Sequence, residues 1–124
     1  MNWLIKSGEK TPLDINKGSV AWGNYSDVEF EYYTNTSKET ATKNLGSGTR
    51  IASGAYEGAK ANNIYDLAGN VWLWTLEGYS FWFRYSRGGA YNDSGTYNYA
   101  SDRSGNYPYY SNNTIGIGGG LYIK

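Results

Sequence analysis

Residues Tyr85 to Asn113 constrain this chain more than any other stretch. The 29 residues contain seven Tyr, five Asn, five Ser and four Gly, two each of Asp, Arg and Ala, one Thr and one Pro, and no Leu, Ile, Val, Met, Phe or Trp. Disorder of 89–113 is the alternative reading of such a tract; the Trp and Tyr density on both sides argues for a packed domain that holds it. Rigid, amphipathic Tyr interleaved with small hydrogen-bonding residues is the composition of an antibody paratope: Tyr gives a large contact area with few rotatable bonds, and Asn, Ser and Gly adapt around it. Two Asp and two Arg are its only charged groups, so it is built to bind rather than to react.

The rest of the composition narrows the chemistry further. At 124 residues the length is that of one domain. Net charge is zero from 11 basic and 11 acidic residues, so no global field favours nucleic acid or an anionic membrane. Only Asp93 and Asp102, of the 11 carboxylates, lie beyond residue 80. The absence of Cys excludes disulfides, thiol catalysis and thiolate metal sites, and the absence of His removes the commonest general base and transition-metal ligand. We therefore expect no catalytic residue, metal or cofactor. No apolar run reaches the length of a membrane-spanning helix, and the first residues lack the apolar run of a signal peptide. Membrane insertion is not expected. If the protein leaves the cell, a virion or a larger fused chain carries it.

Short apolar patches at Trp3-Leu4-Ile5 and Val20-Ala21-Trp22, set among Gly, Pro and Asn, predict short strands and turns over 1–26. Residues 27–33 alternate Val28, Phe30 and Tyr32 against Asp27, Glu29 and Glu31, the period of a half-buried strand with a solvated acidic face. Residues 34–49 are polar without period and predict a loop. A short helix is expected over 53–62, with Ser53 as its cap. The turn-rich segment 64–70, with Asp66 and Asn70 capping backbone amides, leads into an aromatic and β-branched strand at Val71–Leu76. Trp72 and Trp74 are expected in the core, with Val71, Leu73 and Thr75 on the opposite side, and Trp82 is also assigned inward. Phe81–Tyr85, Ile115–Ile117 and Gly120–Ile123 are further strand candidates.

The run Asn63-Ile64-Tyr65-Asp66-Leu67-Ala68-Gly69-Asn70-Val71-Trp72-Leu73-Trp74-Thr75, followed by Arg87-Gly88-Gly89-Ala90, Arg103 and Ile115-Gly116-Ile117-Gly118, resembles the formylglycine-generating-enzyme branch of the C-type lectin fold. The likeness covers roughly residues 53–124. Leu73 stands where that family has Glu, and Ile117-Gly118 where it has Phe-Arg. The resemblance implies an α+β, C-type lectin-like domain with short strands, few helices and long loops. Residues 1–80 would form the scaffold, 81–118 a variable ligand-binding region and 119–124 a C-terminal strand. The enzymes of this family act through cysteines, which this chain lacks. Other members of the fold are the variable proteins of diversity-generating retroelements of phages and bacteria. In those, template adenines become random bases, and AAC codons scatter to Tyr, Asp, Ser, Gly, Thr, Ala, Arg and Pro, never to Lys, Glu, Gln, Met or Trp. The 85–113 tract fits that set without exception.

The resemblance thus implies a non-catalytic binder, a hypervariable face presented by a phage tail or a bacterial surface. Its candidate ligand-binding residues are Phe83, Tyr85, Tyr91, Asn92, Asp93, Tyr97, Asn98, Tyr99, Asp102, Ser104, Asn106, Tyr107, Tyr109 and Tyr110. Tyr would supply the energetic anchors, and Arg87 and Arg103 would hold the loops. The partner would be a protein or glycan on a cell surface, with self-association a second way to cover an aromatic face. A carbohydrate-binding domain of fixed specificity and a degenerate homologue of the enzyme are the competing readings.

Overall fold

In a computed structural model, residues 2–78 and 80–117 are described. The chain is α+β, with short helices and mostly strands and loops. Its order is α1 (Asn2–Lys6), α2 (Pro12–Asn16), a 3-10 turn at Ser19–Ala21, β1 (Phe30–Tyr33), β2 (Thr40–Lys43), a 3-10 turn at Glu57–Ala59, β3 (Lys60–Ala61), β4 (Ile64–Tyr65), β5 (Trp72–Gly78), β6 (Arg84–Arg87), β7 (Arg103–Asn106) and β8 (Ile115–Gly116).

The N-terminal region departs from expectation, being helical rather than extended. Thr11-Pro12-Leu13-Asp14 forms a capping box. The Thr11 hydroxyl accepts from the Asp14 amide at 3.2 Å, the Asp14 carboxylate accepts from the Thr11 amide at 2.7 Å, and Pro12 takes the first turn, where no amide proton is needed. The helices bury Leu4 and Ile15 against Trp22, Tyr25, Ala61, Ala68 and Ala100. Ala100 belongs to the Tyr-rich tract, so this core joins the N-terminal helices to the tract. A second cluster packs Phe30 on Ile51 and Ala55.

Residues 34–49 are not a plain loop. Thr40–Lys43 pairs antiparallel with β1, Phe30 opposite Lys43 and Tyr33 opposite Thr40. The strand lacks an apolar period because Lys43 fills its buried position, 2% exposed, and donates to the carbonyls of Tyr25 at 2.5 Å and Val28 at 2.8 Å. Burial lowers the pKa of its ammonium. The expected helix at 53–62 is reduced to the 3-10 turn and β3, because Gly54 adopts a positive φ of 80°.

A four-stranded sheet, in the order β7-β6-β5-β8, carries the C-terminal half. β5 lies where the Val71–Leu76 run predicted, and β8 pairs with it in parallel, Trp72 opposite Ile115. The expected strand at 81–85 is displaced to β6, after a turn. Trp74 faces Ser86 and Leu73 faces Arg87, which puts Trp74 and Leu73 on opposite faces as expected. Burial differs from expectation: Trp72 and Trp74 are half-buried, and Trp82, at 67% exposed, lies on the surface beside Phe81. Trp22 is the tryptophan of the core. The candidate strand Gly120–Ile123, and Gly118 of the proposed variable region, lie outside the described residues.

Candidate functional site

Side chains up to 81 residues away in sequence hold the tract in place, together with a few of its own. The buried Tyr25 phenol donates to the Gly88 carbonyl at 2.7 Å, and burial pushes its pKa far above that of a free phenol. The Ser19 hydroxyl accepts from the Ala100 amide at 2.8 Å. The Trp72 indole donates to the Asp93 carboxylate at 2.8 Å, and the same carboxylate accepts the Ala90 amide at 3.0 Å. Backbone bonds run from Tyr91 to Asn70, 2.9 Å, and from Gly69 to Gly88, 2.7 Å. Arg87 donates to the Ser101 carbonyl at 2.6 Å and pairs with Glu77 at 2.7 Å; Arg103 reaches the other oxygen of Glu77 at 2.8 Å and lies 4.6 Å from the Tyr85 ring centroid. Both arginines thus brace the tract, as the sequence suggested. Their hydrogen bonds and charges lower the Glu77 pKa.

Asp27 has a role opposite to the one its alternation implied. It is no solvated strand residue. Its carboxylate accepts from the Ser94 hydroxyl at 2.6 Å, the Gly95 amide at 2.9 Å, and the Thr96 hydroxyl and amide at 3.0 and 3.3 Å. Partial burial opposes its ionisation, but these donors prevail and the pKa is lowered. Asp27→Ala should therefore destabilise the fold by about 1–2 kcal/mol, measured by thermal or denaturant unfolding. A depressed carboxylate contributes stability above its unfolded pKa of about 4 and loses it as pH falls through the lower folded value. The difference between Asp27→Ala and the parent should thus be full at neutral pH and shrink in that acid window.

Asn70 and Asp66 divide the turn before β5 unequally. The Asn70 amide accepts from the Ile51 amide at 3.1 Å and the Asn24 side chain at 3.1 Å, and donates to the Ile51 carbonyl at 3.0 Å. It caps backbone as expected. Asp66 is buried beside Ser53, the Gly54 amide and Asn70; burial raises its pKa, and these neighbours offset the rise only in part. Sequence reasoning missed Ser19, Tyr25 and Asp27 as holders of the tract. Their pairings span from 63 to 81 residues, and no local pattern records them.

These contacts sort the candidate binding residues. Asp93 and Asp102 serve the fold; Asp102 accepts the Tyr99 amide at 3.0 Å. Asn98 bonds the Ser94 carbonyl, and Tyr91, Asn98 and Tyr99 are half-buried. Ser104 and Asn106 lie on the sheet face shared with Ser86, opposite the face of Tyr85. The fourteen candidates therefore do not form one continuous face. Two exposed parts remain. Asn92 and Tyr97 project from the clamped turns, Tyr97 being 76% exposed. Beyond β7, the Phe83 and Tyr107 rings lie 4.4 Å apart, and Tyr107 stacks on Tyr109 at 5.2 Å and 13°. Tyr109 is 81% exposed. Pro108 sets the intervening turn, closed by the Tyr110 amide on the Tyr107 carbonyl at 2.9 Å.

Comparison of the chain with protein-family models, with curated proteins and with solved structures returns no match in any of the three. Among the described residues, no helix is long and apolar enough to cross a membrane.

Proposed function

We propose that this chain is a non-catalytic ligand-binding protein of C-type lectin-like architecture. Its 85–113 tract is the target of a diversity-generating retroelement, and its ligand is a protein or glycan on a cell surface, met from a phage particle or a bacterial envelope. One observation carries the reading. Side chains of a paratope-like tract are exposed on irregular backbone, while residues outside the tract, with Arg87, Asp93, Asp102 and Arg103 inside it, hold that backbone. Tyr97, Tyr107 and Tyr109 can change without removing any of those holding contacts. Aromatic anchors among small polar residues are the usual source of affinity in such surfaces.

Deep sequencing of the 3′ end of the gene in its native population tests this. Substitutions traceable to template adenines should concentrate at Asn92, Tyr97, Tyr107, Tyr109 and Tyr110. Gly88, Asp93, Gly95 and Ala100 should stay constant, since a β-carbon on Gly95 would come within 2.6 Å of the Tyr25 ring and Ala100 is fully buried. A tract as constant as residues 53–76 would overturn the retroelement reading and leave a site of fixed specificity.

A further inference from the structure

A concave surface lies outside the tract. The β1–β2 hairpin and the loop 52–58 border two adjoining hollows of about 180 and 340 Å³, which share Tyr33, Ala55 and Glu57 in their walls. The two walls are joined by the Tyr33 amide, which donates to the Ala55 carbonyl at 2.8 Å. Tyr56 is held by stacking on Phe30 at 3.9 Å and 13°. The hollows are lined by the half-buried rings of Tyr32, Tyr33 and Tyr56 and by the exposed residues Glu31 and Glu57. Glu57 accepts the Tyr65 hydroxyl at 3.1 Å, and among the described residues neither glutamate takes part in an ion pair.

Ring faces beside unpaired carboxylates attract a cation, through the ring quadrupole and through charge. One of the chain's own ammonium groups already responds to this. Lys38, which lines the larger hollow, lies 5.6 Å from the Tyr33 ring centroid. Lys38 does so from a strained position, with φ at 61° in the hairpin turn, where a non-glycine residue is uncommon.

We propose that this cleft binds a cationic side chain, Lys or Arg, of a partner protein, and that Lys38 is an internal competitor for it. The inference does not depend on the retroelement reading, because every residue in it lies outside the 85–113 tract.

The test is an NMR titration of the full chain at low salt with Nα-acetyl-lysine methylamide, and with Nα-acetyl-norleucine methylamide as the uncharged counterpart. Saturable shifts are expected at residues 31–36 and 52–58 with a Kd on the order of 1–10 mM, and none with the norleucine compound. Glu57→Gln should weaken binding about fourfold by removing one exposed charge. Lys38→Gly should tighten it by about threefold, because glycine suits the positive φ and the competing ammonium is gone. Equal binding of the norleucine compound, shifts located at 97–113 instead, or weakening by Lys38→Gly would each overturn the proposal. So would stronger shifts from a methyl glycoside, which would make the cleft a sugar site.

Discussion

Gly69→Ala is expected to destabilise the fold by about 3 kcal/mol or more, lowering the thermal midpoint by roughly 10 °C. Two costs coincide there. Gly69 has φ at 68°, a region where a side chain costs about 1 kcal/mol. A β-carbon at this position would also lie 2.2 Å from the Asn24 carbonyl oxygen and 2.8 Å from its amide nitrogen, both backbone atoms with no rotamer to yield. The bridge between Asn24 and Gly69, with the Gly69 amide on Gly88, is where the N-terminal helical part, the turn before β5 and the tract converge. Gly46→Ala supplies the control. Its φ is 79° and nothing lies within 4 Å of the added carbon, so it carries the conformational cost alone. Equal losses for the two variants, by differential scanning calorimetry, would refute the close-approach account.

Asn70→Ala should cost about 3 kcal/mol, for a different reason. The side chain makes three buried hydrogen bonds, and its loss leaves the Ile51 amide and carbonyl without those partners in a site closed to water. Its φ of 63° adds a conformational penalty for alanine. Asn70→Gly separates the two contributions, relieving the backbone and restoring no hydrogen bond. It should recover only about 1 kcal/mol of the loss in urea unfolding. Full recovery by glycine would show that the Ile51 pairing contributes nothing.

The sequence reveals the parts of this fold whose signals are local. Val71–Leu76 reads as a strand because aromatic and β-branched residues alternate there, and Ile115–Gly116 reads as one because an apolar pair follows polar residues. The first two helices were missed although Thr11-Pro12-Leu13-Asp14 contains a start signal; the apolar triplets around it are too short to separate a helix from a strand. β2 was hidden because its inward residue is Lys43, whose burial depends on two carbonyls in a different loop. The exposed Tyr residues were legible from composition alone. Which members of the tract serve the fold was not, since Asp27, Tyr25 and Ser19 act across the length of the chain. The proposal of a lectin-like architecture rests on the Asn63–Thr75 resemblance and the shorter matches at 87–90, 103 and 115–118.

The sheet order has a further meaning for the tract. β7 and β8 form opposite edges of the sheet, with β6 and β5 between them, and the eight residues 107–114 connect these edges. Three strand spacings amount to about 14 Å. β7 and β8 run parallel, so the connector must also return along the strands from the level of Arg84 to that of Trp72, about four residues or about 13 Å. The diagonal is about 19 Å, whereas eight residues reach about 27 Å when extended. The connector that displays Tyr107, Tyr109 and Tyr110 therefore crosses the sheet with modest slack. Lengthening it costs little closure entropy, only about 0.6 kcal/mol for a doubling. The outline of this surface can thus change by insertion more readily than by deletion, independently of which side chains it carries.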